Sequence, residues 1–315
     1  MQDLQRRRLG ACGIEVSTLA LGSWRTYERV GREQGISVMR AARERGVTFL
    51  DDARYDDESG KAPMRTGYSE VLFGELFRAA GWERDEVVVA NKLWWEFWPD
   101  QTAAQELDAS LGRMGFDYID LAYSWAAPGG PPVETVVTSV GALISSGKLR
   151  AWGTGNWPPE DHERAAKIAM ERGLPPPCAA QLPYNLGLRH HVEPEAALRA
   201  LDKSGAAVVA SFVLHGGVLS GKYAKHPASG RMADELAEPE VQRALAAADD
   251  LRTLAARLGA TPAALAIAFA LANERVAAVL FGATTSAQVA ENVRSLEVLD
   301  RLDAAALTEL RAIGA

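Results

Sequence analysis

The feature that most constrains the fold is a repeated alternation of short β-branched or apolar runs with longer amphipathic segments, which continues through most of the 315-residue chain. Such an alternation is typical of βαβ units, which build a parallel sheet. The short runs predict eight strands: Val16–Leu21, Val47–Leu50, Val87–Ala90, Tyr118–Tyr123, Ala151–Thr154, Ala179–Leu182, Ala207–Ala210 and Val276–Leu280. Eight βα units predict an α/β fold that closes into a single (β/α)8 TIM barrel, a domain of typically about 250 residues or more.

The segments between these strands carry apolar residues at three- and four-residue spacing, which is the pattern of one helical face. They predict helices over Gly35–Arg45, Thr102–Arg113, Val133–Ser146, Glu160–Arg172, Pro194–Lys203 and Thr261–Ala272. No linker rich in proline, serine or glycine divides the chain, so we expect one domain over residues 1–315. Two turn-rich stretches, Asp56–Gly67 and Leu219–Pro239, have the length of functional or mobile loops.

Composition argues against several classes of protein. The chain is 48% hydrophobic, and no segment approaches the roughly 18 uninterrupted apolar residues that a membrane span requires. The N-terminus lacks the apolar region of a secretory signal, so we expect a cytoplasmic protein with no membrane partner. A net charge of −7 argues against nucleic-acid binding. We therefore expect small-molecule partners, and the oligomeric state stays open.

The two cysteines, Cys12 and Cys178, belong to no CxxC motif and to no His/Cys cluster with the spacing of metal ligands. This pattern predicts neither a disulfide framework nor a metal site. We expect both cysteines to be buried and to behave as small apolar residues.

Polar residues directly after the strands are candidate site residues, because TIM barrels place their active sites at the C-terminal ends of the strands. Asp51 and Tyr55 follow the second predicted strand, and Lys92 follows the third. A lysine ammonium lowers the pKa of a nearby phenol from about 10, and an aspartate keeps the lysine charged and oriented, so this set suits general acid catalysis. From spacing alone, a structural ion pair of Asp51 with Lys92 is an equally good interpretation.

Nine segments resemble, in order, successive landmarks of the aldo-keto reductase superfamily, and most of all the branch that includes the potassium-channel β subunits. They are LGACGIEVSTLALGSW, GVTFLDDARY, GYSEVLFGELF, VVVANKLW, LGRMGFDYIDLAYSW, GKLRAWGTGNW, AAQLPYNLGLR, GGVLSGKY and FGATTSAQVAENV. The resemblance implies hydride transfer between NADPH and a carbonyl or alcohol, without a metal. It also implies that Tyr55 is the proton donor and that Asp51 and Lys92 are the family's aspartate and lysine.

Two departures from the family pattern concern the catalytic residues. Tyr55 lies four residues after Asp51 where the family usually has five, and the unusual insertion Asp56–Gly67 follows it. Tyr68 is the alternative donor, but it abuts the residues that open the next helix, so Tyr55 is preferred. Trp125 stands at the position of the family's histidine, and an indole N–H donates one hydrogen bond but does not titrate. We expect carbonyl reduction to be slowed or redirected, and a role for Trp125 as a mere pocket wall is equally open.

The resemblance also predicts where the nicotinamide binds. Asn156 and Gln181 are expected to contact the carboxamide, with Gly155 where the family has a serine. An amide side chain suits this contact because it offers both a donor and an acceptor. Ser211, with Phe212 beside it, stands where the family has an aromatic residue stacked on the nicotinamide, which puts stacking in doubt.

The rest of the dinucleotide is expected on three further loops, of which the glycine-rich Leu214–Lys222 would cover the pyrophosphate. The expected contacts are Gly22, Ser23, Trp24, Leu214, Gly216, Leu219, Gly221, Lys222, Gly282, Thr284, Gln288, Glu291 and Asn292. Gln288 stands where many relatives have a basic residue for the 2′-phosphate. The expected cofactor is therefore NADP(H), with NAD(H) not excluded.

Tryptophans cluster at the predicted mouth of the barrel, and we expect a pocket for a hydrophobic or flat substrate, with some of them packed under the loops. The candidates are Trp24, Trp94, Trp95, Trp98, Trp125 and Trp157. The leading hypothesis is an NAD(P)H-dependent oxidoreductase of carbonyl or alcohol substrates. The alternatives are reduction of an enone or imine on the same scaffold, and a non-catalytic nicotinamide-binding redox sensor.

Overall fold

The structure is a computed structural model and describes residues 4–58, 60–126, 128–224 and 232–314. Of the turn-rich stretch Leu219–Pro239, residues 225–231 therefore lie outside the described residues, as does residue 59 of the insertion Asp56–Gly67. The described chain begins with an antiparallel hairpin of β1 (Arg6–Arg8) and β2 (Glu15–Ser17).

Eight parallel strands follow and form a closed barrel. They are β3 (Leu19–Gly22), β4 (Phe49–Asp51), β5 (Val88–Leu93), β6 (Ile119–Trp125), β7 (Leu149–Gly155), β8 (Ala179–Pro183), β9 (Ala207–Ser211) and β10 (Val276–Phe281). Each strand pairs with the next along the chain, and β10 closes the barrel against β3. The predicted (β/α)8 barrel is confirmed.

The helices cover the outside of the barrel. They are α1 (Arg32–Glu44), α2 (Tyr68–Ala79), α3 (Ala103–Met114), α4 (Val133–Ser145), α5 (Pro159–Glu171), α6 (Glu195–Ser204), α7 (Pro239–Arg257), α8 (Pro262–Leu271), α9 (Ser286–Val293), α10 (Ser295–Leu299) and α11 (Ala304–Ala312). Within the described ranges, no single helix is long and apolar enough to cross a membrane; α7 and α8 meet that test only as a pair bent by 94°.

The first predicted strand, Val16–Leu21, is wrong as one unit, because the chain breaks between β2 and β3. Ser17 causes the break: its hydroxyl donates to the carbonyl of Leu19 at 2.7 Å and accepts from the N–H groups of Thr48 and Phe49 at 3.0 and 3.1 Å. These side-chain bonds replace ladder bonds and turn the chain from the hairpin into the barrel.

The hairpin closes the N-terminal end of the barrel. Leu9, Ile14 and Val16 are buried with the residues that fill the barrel interior. Cys178 is buried in the same cluster, as expected, but Cys12 is exposed, because it lies in the turn between β1 and β2 on the protein surface. The ligand-accessible end of the barrel is therefore the C-terminal one.

Strand alternation decides which side chains reach that end. Successive residues of a strand point to opposite faces, so residues two apart share a face. The interior-facing residues Phe49, Ala90, Tyr123, Ala179 and Val209 belong to one buried cluster. The residues two positions further toward the C-terminal ends face the same way, and they are Asp51, Lys92, Trp125, Gln181 and Ser211.

Candidate active site

A cavity of about 1080 Å³ lies at the C-terminal ends of the barrel strands. Small-molecule sites usually have about 300–1000 Å³, so this cavity suits a large ligand. Its wall contains the four expected catalytic residues, Asp51, Tyr55, Lys92 and Trp125. It also contains most of the expected cofactor residues: Gly22, Trp24, Asn156, Gln181, Ser211, Phe212, Leu214, Gly216, Lys222, Gly282, Thr284, Gln288, Glu291 and Asn292.

Three expected cofactor residues do not line this cavity. Ser23 is buried, and its hydroxyl donates to the carboxyl group of Asp52. Leu219 is buried in the main hydrophobic core. Gly221 has a φ of +77° where the 3-10 helix His215–Ser220 ends.

Asp51, Tyr55 and Lys92 form one hydrogen-bonded set. The parallel pairing of β4 with β5 brings the ends of these strands together. Lys92 Nζ lies 2.7 Å from Asp51 Oδ1 and 2.9 Å from the Tyr55 hydroxyl. Gln181 Nε2 donates to the other oxygen, Oδ2, of Asp51 at 2.9 Å. The ammonium thus contacts both the carboxylate and the phenol.

The charges of this set follow from its burial. Burial raises the pKa of Tyr55; Lys92 lowers it, Asp51 raises it further, and the net pKa is above the ordinary value. Lys92 lowers the pKa of this phenol as expected, but desolvation outweighs the lysine, so the net direction is the opposite of a lowered pKa. For Lys92, burial lowers the pKa, but Asp51 and Tyr55 raise it and prevail. At neutral pH a protonated phenol lies beside a charged ammonium.

The insertion leaves Tyr55 at Lys92 because the inserted segment closes on itself. A β-bridge joins Asp56 to Thr66, and the N–H of Gly67 donates to the carbonyl of Tyr55 at 2.9 Å. The chain therefore leaves and re-enters the barrel mouth at nearly the same point. The extra residues extend outward without displacing the phenol.

Tyr68, the alternative donor, lies elsewhere. It is the first residue of α2 and lines a second cavity of about 290 Å³ together with Tyr27. Its neighbour Ser69 accepts from the N–H of Tyr55 at 3.1 Å and donates to the carbonyl of Ala53 at 2.5 Å. The start of α2 thus holds the Tyr55 backbone in place and leaves Tyr55 as the phenol at Lys92.

Trp125 belongs to an aromatic wall beside the phenol. Its ring lies 5.3 Å from that of Trp94, tilted by 48°. Trp94 packs edge-on against Tyr55 with ring centres 6.1 Å apart. Trp24 also lines the cavity. Aromatic rings that are tilted relative to one another therefore line the cavity from Trp125 to Tyr55.

The other three predicted pocket tryptophans pack against the hydrophobic core. Trp95 is buried, and its Nε1 donates to Ser124 Oγ at 2.9 Å. Its φ of +59° turns it away from the cavity that Trp94 lines. Trp98 and Trp157 are partly buried against the same core.

Asn156 and Gln181 are neighbours because β7 and β8 pair at their C-terminal ends. The N–H of Asn156 donates to the carbonyl of Gln181 at 3.1 Å. Asn156 has a φ of +56°, a left-handed conformation that asparagine adopts more readily than most residues. Ser211 ends β9 and Phe212 follows with a φ of +55°, and both line the cavity.

The glycine-rich loop folds tightly beside Lys222. Gly216 and Gly217 have φ values of +62° and +94°. A Cβ on Gly216 would overlap the side chain of Met232, and one on Gly217 would lie 2.7 Å from Lys222 Nζ. The positive φ values favour glycine at both positions, and Lys222 lies close to Gly217 at the cavity wall.

The start of α9 forms the far part of the wall. Thr285 caps the helix by accepting from the N–H of Gln288 at 3.2 Å. The side-chain carbonyl of Gln288 accepts from the N–H and the hydroxyl of Thr284 at 2.7 and 3.1 Å. Gln288 therefore holds the loop before α9 as well as facing the cavity.

Two buried carboxylates that support the site were missed from the sequence. Glu106 accepts from the N–H groups of Trp94 and Trp95 at 2.7 and 3.2 Å. Glu70 accepts from Asn91 Nδ2 at 2.9 Å, next to Lys92. Both lie on the apolar faces of their helices. An acidic residue on such a face can be recognised from the sequence and indicates a buried carboxylate with hydrogen-bond partners.

Two arginines of the wall were also missed. Arg25 and Arg29 line the cavity, and both pair with Glu58 of the insertion at 2.6 and 3.2 Å. Arg25 follows Trp24, an expected site residue, so its position in the sequence could have indicated that it lines the cavity. These ion pairs connect the insertion to the rim of the cavity.

Comparisons with known proteins show the family of this chain. A sequence profile described as "Aldo/keto reductase family" matches residues 18–315. The chain is 32% identical to a "Probable voltage-gated potassium channel subunit beta" of Oryza sativa subsp. japonica, over 98% of this chain and 96% of that protein. A protein of the same description from Arabidopsis thaliana is 30% identical, with the same coverage of 98% and 96%. A "Putative voltage-gated potassium channel subunit beta" of Schizosaccharomyces pombe is 31% identical, over 94% and 89%. With its barrel and these matches, the chain belongs to the aldo/keto reductase family.

Proposed function

We propose that this chain is an NAD(P)H-dependent oxidoreductase, with NADP(H) as its preferred cofactor, that transfers a hydride between nicotinamide and the carbonyl or alcohol carbon of a hydrophobic or aromatic substrate. The observation that carries the proposal is the contact of Lys92 Nζ with both Asp51 and the Tyr55 hydroxyl at the cavity wall. A binding protein needs no such set, whereas general acid catalysis needs a positioned proton donor.

The protein's own groups supply the proton. A bound nicotinamide supplies the hydride to the substrate carbon. Tyr55 donates its O–H proton to the substrate oxygen, so a carbonyl becomes an alcohol, and Tyr55 regains a proton from water. The Lys92 ammonium, 2.9 Å from the hydroxyl, stabilises the phenolate that forms. Asp51 keeps the ammonium charged and in place.

The cavity wall fits a nicotinamide dinucleotide. Asn156 and Gln181 offer the donors and acceptors that a carboxamide requires. Gly216 and Gly217 allow backbone N–H groups to approach phosphate oxygens, and Lys222 supplies a positive charge beside them. These residues would hold the cofactor with its nicotinamide end near Tyr55.

We expect the protein to bind NADPH with a dissociation constant in the micromolar range or tighter. Trp24, Trp94 and Trp125 line the cavity, so binding should quench tryptophan fluorescence. Titration with NADPH and with NADH measures both affinities, and a tighter constant for NADPH supports the proposed preference in spite of Gln288. A flat titration with both nucleotides would contradict the proposed function.

Trp125 favours a second candidate, reduction of an enone or imine on the same scaffold. An indole at this position cannot pass a proton, so groups other than simple aldehydes become suitable substrates. Turnover on aldehydes, ketones, enones and imines with one cofactor separates the two candidates.

The descriptions of the relatives as potassium-channel β subunits favour a third candidate, a nicotinamide-binding redox sensor without turnover. Such a protein binds the nucleotide but leaves it unreacted with every substrate of that panel. Oxidation of bound NADPH in a single turnover by any one of these substrates rules out this candidate.

A further inference from the structure

Residue 155 is a glycine although its backbone conformation does not require one. It ends β7, it is buried, and its φ lies outside the left-handed region. A Cβ built on it would lie 2.6 Å from Cζ3 of Trp125 and closer still to Cε3. Carbon atoms in contact lie about 3.5–4.0 Å apart. The indole of Trp125 therefore occupies the space of any side chain at position 155.

The backbone fixes this arrangement. Trp125 and Gly155 are register partners in the paired strands β6 and β7, and the N–H of Ala126 donates to the carbonyl of Gly155 at 3.2 Å. On another side, the indole contacts Trp94, whose ring packs against Tyr55. Trp125 is thus held between a glycine and a second indole, beside the proton donor.

We propose that Trp125 and Gly155 form one specificity-determining unit that selects planar, conjugated carbonyl substrates over small aliphatic ones. In this unit the indole fills the space of the histidine and the serine that the family pattern has at positions 125 and 155. The planes of Trp94 and Trp125 are tilted by 48°, so a planar ligand whose oxygen meets the Tyr55 hydroxyl stacks on one indole and meets the other at an angle. A short aliphatic aldehyde gains little from these rings. The substrate class rests on the proposed function, whereas the coupling of the two residues does not.

The coupling is tested by stability. Gly155→Ser should lower Tm by about 5 °C in the wild-type background, because the new side chain collides with the indole. In a Trp125→His background the same change should cost far less, since the imidazole leaves room for the serine. Gly112→Ser is the matched control, because a Cβ at Gly112 meets nothing within 4 Å. An equal loss from Gly155→Ser in both backgrounds overturns the coupling.

The selection of planar ligands is tested by binding, with unreactive carbonyl compounds. Cinnamamide and butanamide are titrated into the NADP⁺-saturated protein. The Trp125→His/Gly155→Ser variant should reduce the preference for cinnamamide by about tenfold or more. An unchanged ratio of the two dissociation constants overturns the proposal.

The same variants separate this inference from the proposed function. Wild-type turnover of cinnamaldehyde over butanal is expected to follow the binding preference, and to fall in the double variant. Failure to turn over either aldehyde counts against the proposed function. The Tm comparison and the amide binding ratio still decide the role of the Trp125–Gly155 unit, because neither depends on turnover.

Discussion

Replacing Lys92 with methionine is expected to lower kcat by about 10²–10⁴-fold, the usual contribution of general acid catalysis, while cofactor affinity changes little. Burial already raises the pKa of Tyr55, and Lys92 is the group that lowers it. Without the ammonium, the phenolate that forms when Tyr55 gives up its proton loses the positive charge that lies 2.9 Å from its oxygen. Steady-state rates at saturating cofactor and a fluorescence titration measure the two quantities.

Stability must be followed beside these rates, because Lys92→Met leaves Asp51 buried without its cation. Asp51→Asn in the same chain removes that charge and restores stability without restoring turnover. Lys148→Met is the matched control, since Lys148 pairs with Asp108 at 2.6 Å on the exposed surface. A Lys92→Met protein that keeps full kcat but loses cofactor binding would show that the lysine holds the cofactor and does not act on Tyr55.

Acidification from pH 7 to pH 4 is expected to cost the protein about 3 kcal/mol of unfolding free energy through His162 alone. Burial lowers the pKa of His162 from 6.5 to about 4. Between pH 6.5 and about pH 4, the unfolded chain therefore binds a proton at His162 that the folded chain does not bind. The contribution of His162 to stability is complete above pH 6.5 and is lost as the pH falls. Its ring nitrogens lie 2.8 Å from the hydroxyl of Thr154 and 2.9 Å from that of Ser204.

Urea denaturation of the wild type and of His162→Gln at several pH values isolates this contribution. Glutamine retains a donor and an acceptor for the two hydroxyls but does not titrate, so the difference between the two proteins should shrink toward pH 4. Parallel stability curves for wild type and His162→Gln would show that His162 does not sense pH.

Much of the fold was predictable because it depends on local periodicity. The alternation of strands with amphipathic helices gives the barrel, and the two-residue repeat of each strand then carries Asp51, Lys92 and Gln181 to one end. The break at Ser17 was not predictable, since it depends on side-chain bonds to Thr48 and Phe49, residues far away in the chain.

The site was predictable where residues lie on strands and less so where they lie on loops. Trp94 and Trp95 are adjacent, yet one lines the cavity and the other packs into the core, because the left-handed backbone of Trp95 reverses its direction. The reason that residue 155 is a glycine could not be predicted from the sequence. It depends on the volume of Trp125, on a different strand, and volume is a property of the packed structure.

We expect that the insertion that begins after Tyr55 can be replaced as a unit. Because Asp56 and Thr66 pair and the N–H of Gly67 returns to Tyr55, the two ends of the loop meet at one narrow stem. Unrelated sequences grafted between these stem residues would leave the phenol in place while changing what contacts Arg25 and Arg29 at the rim. A library confined to this loop would therefore vary access to the cavity while the proton-transfer groups stay constant.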